Sequence, residues 1–123
     1  MATQTQSGGT LSLATDSLTP VHYFGVLLAV ISGVLHLVLG VQFAPSPLGI
    51  SFILAGVGFL VGSGAILVDY RRRLFYLLGI PFTLIQIGAW YAVNAPNFST
   101  LGIGDKVVQV LFVLVLVTLY RRE

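Results

Sequence analysis

The chain has 123 residues, of which 56% are hydrophobic and 8% charged, with a formal net charge of +2. A soluble domain carries roughly 25% charged residues, so a water-soluble fold is excluded, because six basic and four acidic side chains cannot cover its surface. The bases sit at the ends of apolar runs rather than along a polar face, which argues against nucleic acid as a partner, and the lack of cysteine removes disulfides and thiolate chemistry.

Residues 1–18 are rich in Thr, Ser, Gln and Gly without an apolar period, and read as a disordered cytoplasmic tail. The segment lacks the basic start and apolar centre of a secretory signal. Thr19-Pro20 reads as a helix N-cap followed by proline at the first helical position. A first span over 21–43 reaches about 34 Å at 1.5 Å per residue, enough for a hydrocarbon core of about 30 Å. The break at Ala44-Pro45-Ser46-Pro47 returns the chain into a second, antiparallel span over 48–69. Asp69-Tyr70-Arg71-Arg72-Arg73 follows, then a third span over 74–94 with Pro81 inside it. Proline at that point frees a backbone carbonyl and predicts a bend.

The last span is placed at 102–120. Its uncharged stretch from Val107 to Tyr120 covers only roughly 21 Å, so Asp105 and Lys106 are expected to snorkel at the interface. On that reading no acidic side chain lies inside any span. The predicted fold is therefore all-α, a four-helix transmembrane bundle. Five arginines share one side, Arg71, Arg72, Arg73, Arg121 and Arg122, and together with Asp69 they form the expected cytoplasmic anchor. The positive-inside rule then puts both ends in the cytoplasm. Tyr23, Tyr70, Tyr76 and Tyr120 are expected at the inner boundary, and Trp90, Tyr91 and Phe98 at the outer.

Helices in lipid associate through small residues and interhelical hydrogen bonds. The first span offers a ridge of Gly25, Ala29, Gly33, His36 and Gly40. The second offers Ser51, Ala55, Gly58, Gly62, Ala65 and Asp69, with a GxxxG at Gly58–Gly62, and the two are expected to close as a tight hairpin. Gly79, Thr83, Gln86, Trp90 and Asn94 form one polar stripe on the third span. Gln86 should face protein or water, since lipid leaves an amide unsatisfied. The fourth span, dense in Val and Leu, reads as a lipid-facing cover or a seam to another subunit.

His36 lies on the ridge and points into the bundle. It is either a proton-relay, haem, quinone or ligand contact, or helix glue bonded to Gln86, Thr83 or a backbone carbonyl. His22 is interfacial and too far along the same helix to complete a bis-histidine site. An Asp69–Arg73 pair forms if the helix continues across it. Asn97-Phe98-Ser99 is a glycosylation sequon on the outer side. No paired carboxylates, HExxH, P-loop or serine elbow occur, so no enzyme activity, metal or cofactor is implied.

The segments "ISGVLHLVLG", "VDYRRRLFYLLGIPFTLIQIGAWYAVN" and "GDKVVQVLFVLVLVTLYRRE" resemble a family of small, uncharacterised four-pass membrane proteins of halophilic archaea. The resemblance covers all but the tail and implies a fold and a location, not an activity. Asn97-Phe98-Ser99-Thr100 shares a Phe-Ser-Thr element with small fluoride channels, but it falls in a loop and lacks the flanking Gly and Thr of their motif. The leading expectation is a non-enzymatic structural or accessory subunit in contact with the lipid bilayer, associating with itself or a larger membrane complex. The alternative is a small-molecule or ion-handling protein built on an intramembrane polar site of His36, Thr83, Gln86 and Trp90.

Overall fold

The computed structural model describes residues 15–123. Four α-helices follow one another: α1 (Pro20–Phe43), α2 (Pro47–Leu67), α3 (Arg72–Asn94) and α4 (Thr100–Arg122). Each is long and apolar enough to cross a membrane. The turns are short, so neighbours run antiparallel. Both chain ends of the bundle and the α2–α3 turn lie at one end, here the arginine end, and the α1–α2 and α3–α4 turns at the other. The expected tail over 1–18 lies largely outside the described residues. Its last part is ordered, with a 3-10 turn at Thr15–Ser17 and Leu18 packed on the core.

Local chemistry sets the helix starts. Ser46 caps α2, its Oγ accepting from the Gly49 N–H at 3.2 Å, with Pro47 at the first helical position. Ser99 caps α4 in the same way, accepting from the Gly102 N–H at 2.9 Å. That cap starts the helix at Thr100 and gives it 23 residues. α4 is thus comparable in length to the other helices, and Asp105 and Lys106, in its second turn, are buried against the bundle instead of reaching outward.

The α1–α2 hairpin is the most extensively packed pair, and α2 and α3 touch least. A Cβ added to Gly33 would meet the Gly56 carbonyl at 3.2 Å, and one added to Gly40 would meet the Gly49 carbonyl at 2.8 Å. The reciprocal contacts close at Gly56 and Gly49. Only glycine allows backbones so near. The hairpin forms as expected, but the register on α2 differs. Gly58 turns away to α3, where an added Cβ would meet the Phe82 ring at 2.6 Å, and Gly62 faces open space. Gly25 serves α4 instead of α2, lying against Val115. Ala29 and Ala65 are buried.

α4 is not a cover. Asp105, Gln109, Phe112, Leu116 and Leu119 recur at helical spacing on one face, and all are buried. That face packs against both α1 and α3. The core at the middle of the bundle is aromatic. Phe59 contacts Phe82 and Phe112 with ring centroids 5.2 and 5.8 Å apart, among Leu28, Ile66 and Leu116.

The arginine end departs from expectation in three ways. First, α2 stops at Leu67, and Asp69 and Arg71 adopt left-handed backbone at φ 56° and 48°. With the helix broken, Asp69 reaches Arg72 at 3.5 Å in place of Arg73. Second, Arg72 is buried and does not serve as a surface anchor. Its Nε–H donates to the Ile66 carbonyl and its Nη1–H to Ser17 Oγ, both at 2.8 Å. Arg73 donates to the Tyr120 carbonyl at 3.2 Å with its guanidinium over the Tyr120 ring. Third, Tyr76 and His22 are inside. His22 Nδ1 accepts from the Thr19 N–H at 3.0 Å, which leaves Nε2 to carry the proton and donate to Glu123 Oε2 at 2.6 Å. The Tyr76 hydroxyl donates to the same oxygen at 2.8 Å. Glu123 thus ties α4 to α1 and α3.

Candidate functional site

The second polar cluster lies deep in the bundle. Ser32 is at the midpoint of α1, roughly 18 Å from either helix end at 1.5 Å per residue. Its hydroxyl donates to Asp105 Oδ1 at 2.8 Å, and the other carboxylate oxygen accepts from Lys106 Nζ at 2.8 Å. Lys106 also donates to Gln109 Oε1 at 2.9 Å. Gln109 Nε2 closes the ring on Ser32 Oγ at 3.2 Å and reaches Gln86 Oε1 at 3.4 Å. Asp105 and Lys106 are 8% and 9% exposed and Gln109 is fully buried. Isolated charges there would be prohibitive, and the pairing plus the supporting hydrogen bonds is what allows them.

His36 sits one turn beyond Ser32. Its Nδ1 lies 2.7 Å from the Ser32 carbonyl, which can only accept, so Nδ1 carries the proton. The ring packs edge-on to Phe52 at 5.4 Å. The other nitrogen, Nε2, makes no hydrogen bond among the described residues.

Above this cluster, toward the turn end opposite the arginines, lies a cavity of about 470 Å³. All four helices contribute: His36 and Leu39 from α1, Phe52 and Ala55 from α2, Gln86, Ala89 and Trp90 from α3, and Asp105 and Lys106 from α4. Every lining residue comes from the half of the bundle away from the arginines. Its lining is largely apolar, and Ser51, Asn94 and Ser99 add polar groups to those of His36, Gln86, Asp105 and Lys106.

His36, Gln86 and Trp90 therefore share one cavity, without a hydrogen bond between His36 and Gln86. The Gln86 amide donates to the Phe82 carbonyl at 3.2 Å. Trp90 stacks on Phe98 at 4.6 Å and sits 5.8 Å from Lys106 Nζ, its indole N–H edge against Gly102. Thr83 does not join them. It is fully buried in the helix core, its hydroxyl without a partner among the described residues. Ser32, Asp105, Lys106 and Gln109 are absent from the sequence-derived site. The usable signal was the Asp105-Lys106-x-x-Gln109 spacing, which puts Lys106 and Gln109 on one helix face.

The floor retains hydrogen-bonding capacity. Lys106 has three N–H groups and uses two, Gln86 Nε2 has two and uses one, and His36 Nε2 is a bare acceptor. The Ser32 hydroxyl lies 3.5 Å from His36 Nδ1 and donates to Asp105, and no three His, Asp or Glu among the described residues come together as a metal site. The arrangement can bind and orient a polar group. No curated relative and no solved structure shows significant similarity to the chain. A family model described as "Family of unknown function (DUF7475)" matches residues 7–120. With that match spanning nearly the whole chain, the protein belongs to the DUF7475 family.

Proposed function

We propose that this is a non-enzymatic multi-pass protein of the cell membrane that binds a small molecule inside the bilayer. The observation that carries the reading is the cavity of about 470 Å³ lined by a buried, hydrogen-bonded Asp105–Lys106 pair. A structural core of this size would gain by filling the space and replacing the ion pair with apolar side chains. Intramembrane ionisable residues otherwise mark ligand or ion paths. A through-channel is disfavoured by the aromatic core between the cavity and the arginine end. The arginine distribution supports a cytoplasmic location for both termini, with the pocket in the outer half of the membrane. The halophilic archaeal source suggested by the sequence belongs to the same proposal.

Native mass spectrometry of protein extracted gently from its own membrane tests the reading. A bound small-molecule mass in the wild type that is lost in Ala89→Leu is expected. Spectra showing only bare protein in both would sink it.

A second reading, an accessory subunit of a larger assembly, draws on Gly62, Gly64, Gly88 and Gly104. An added Cβ at each meets open space, so these surfaces could admit a further helix. Blue-native electrophoresis in several mild detergents discriminates: a lone monomer band in all of them counts against association.

A further inference from the structure

The unfilled capacity of the pocket floor defines the chemistry of its occupant. We infer that the pocket takes a neutral amphiphile with a hydroxyl head, an alcohol or phenol on an apolar body, an inference that rests on the ligand-binding reading above. Three observations combine.

The first is charge. Among the described residues Asp105 and Lys106 are the only formal charges lining the cavity, they are 2.8 Å apart, and they cancel. A charged head would enter a low-dielectric site with no counter-ion left over. The second is donor and acceptor balance. Apart from Ser51, Asn94 and Ser99, which also line the cavity, the open positions are one N–H on Lys106, one N–H on Gln86 and the lone pair of His36 Nε2. The Ser32 carbonyl fixes that histidine tautomer by accepting from Nδ1 at 2.7 Å. A hydroxyl matches this set, since its oxygen accepts from Lys106 or Gln86 while its proton goes to His36. A carbonyl or ether accepts only and leaves His36 Nε2 bare. The third is shape. Most of the lining is apolar, with Leu39, Phe52 and Ala89 facing about 470 Å³, room for a hydrocarbon chain beside a small head.

The chain contains one tryptophan, Trp90, and it lines this cavity. Its emission therefore reports occupancy without a label. Full-length protein exchanged into amphipol is titrated with decanol, decyl methyl ether and decanoate, which share an apolar body and differ in the head. Decanol is expected to give a saturable change in Trp90 emission. The ether should bind about tenfold more weakly, the cost of one buried acceptor left unpaired, and decanoate weaker still. Ala89→Leu and Ala55→Leu each narrow the cavity by a different wall and should weaken decanol at least tenfold. His36→Phe should abolish the preference for alcohol over ether while leaving binding measurable.

Equal affinity for decanol and the ether in the wild type, or tighter binding of decanoate, overturns the head-group assignment while leaving the pocket as a binding site. A non-saturable response to all three, or decanol binding unchanged in both cavity-narrowing variants, overturns the inference altogether. The native mass measurement judges the pocket reading independently.

Discussion

Replacing Asp105 by leucine should be among the most damaging single changes in the protein. Lys106 would keep one hydrogen bond, to Gln109, and lose its counter-charge at 9% exposure. Ser32 would lose the acceptor for its hydroxyl. Breaking a buried pair by removing one partner costs about 3–5 kcal/mol, because the survivor is left uncompensated. Lys106→Leu should cost a similar amount, since Asp105 would then hold only the Ser32 hydroxyl. In the double variant both charges are gone. Ser32 and Gln109 can still bond each other over 3.2 Å, and Gln109 still has Gln86. Its cost should fall to about 1–2 kcal/mol, the scale of a few imperfect neutral hydrogen bonds. Asp105→Asn, which can accept from the same donors, should lie between. The assay is reversible unfolding in mixed micelles with rising dodecyl sulfate, followed by helical circular dichroism, arranged as a double-mutant cycle. Coupling of at least about 2 kcal/mol is expected. If the two single changes simply add, or each costs under about 1 kcal/mol, the buried pair is not what holds this layer together.

Three further outcomes follow from the geometry. Gly56→Val should destabilise by about 1–3 kcal/mol through overpacking, because its Cβ would lie 2.8 Å from the Gly33 carbonyl, whereas Gly62→Ala, facing open space, should be neutral or slightly stabilising in the same unfolding assay. Glu123→Ala should cost about 1–3 kcal/mol by stranding the hydroxyl of Tyr76, which is fully buried. Adding Tyr76→Phe should then cost nothing more, and an additive double variant would contradict the contact. Gly102→Ala would place a methyl 2.7 Å from Trp90 Nε1, so the indole must shift. A displaced emission maximum with unchanged helicity is expected, and an identical spectrum would refute the packing.

The four crossings were legible because uninterrupted apolar length needs no knowledge of tertiary contacts. So was the inward face of α1, where Gly33 and Gly40 leave few alternatives. α2 was harder because it carries two overlapping small-residue stripes, Gly49–Gly56–Ser63 and Ala55–Gly58–Gly62–Ala65. Spacing alone favours neither. The matching seven-residue step of Gly33–Gly40 and Gly49–Gly56 was the available clue. The polar floor was missed because a hydropathy count begins after the last charge. That count leaves Asp105 and Lys106 outside the packed helix, although Ser99 marks a cap that starts the helix before them and buries both against the bundle. His36 and Gln86 were found because a lone polar side chain in an apolar run stands out. Gln109 went unnoticed among the valines and leucines of α4, and its role depends on Ser32, 77 positions away.

The paired glycines of the hairpin also bear on how the chain is built. Gly40 meets Gly49 and Gly33 meets Gly56, each couple equidistant from the Ala44–Pro45 turn. Such contacts can zip outward from the bend as soon as the second segment leaves the ribosome, with little loop entropy to overcome. The acid and base of the last segment, by contrast, have no resting place in lipid until the Ser32 hydroxyl is there to receive them. The first half would thus act as a template waiting in the membrane, and the late arrival of α4 would complete both the polar layer and, through Glu123, the seal at the arginine end.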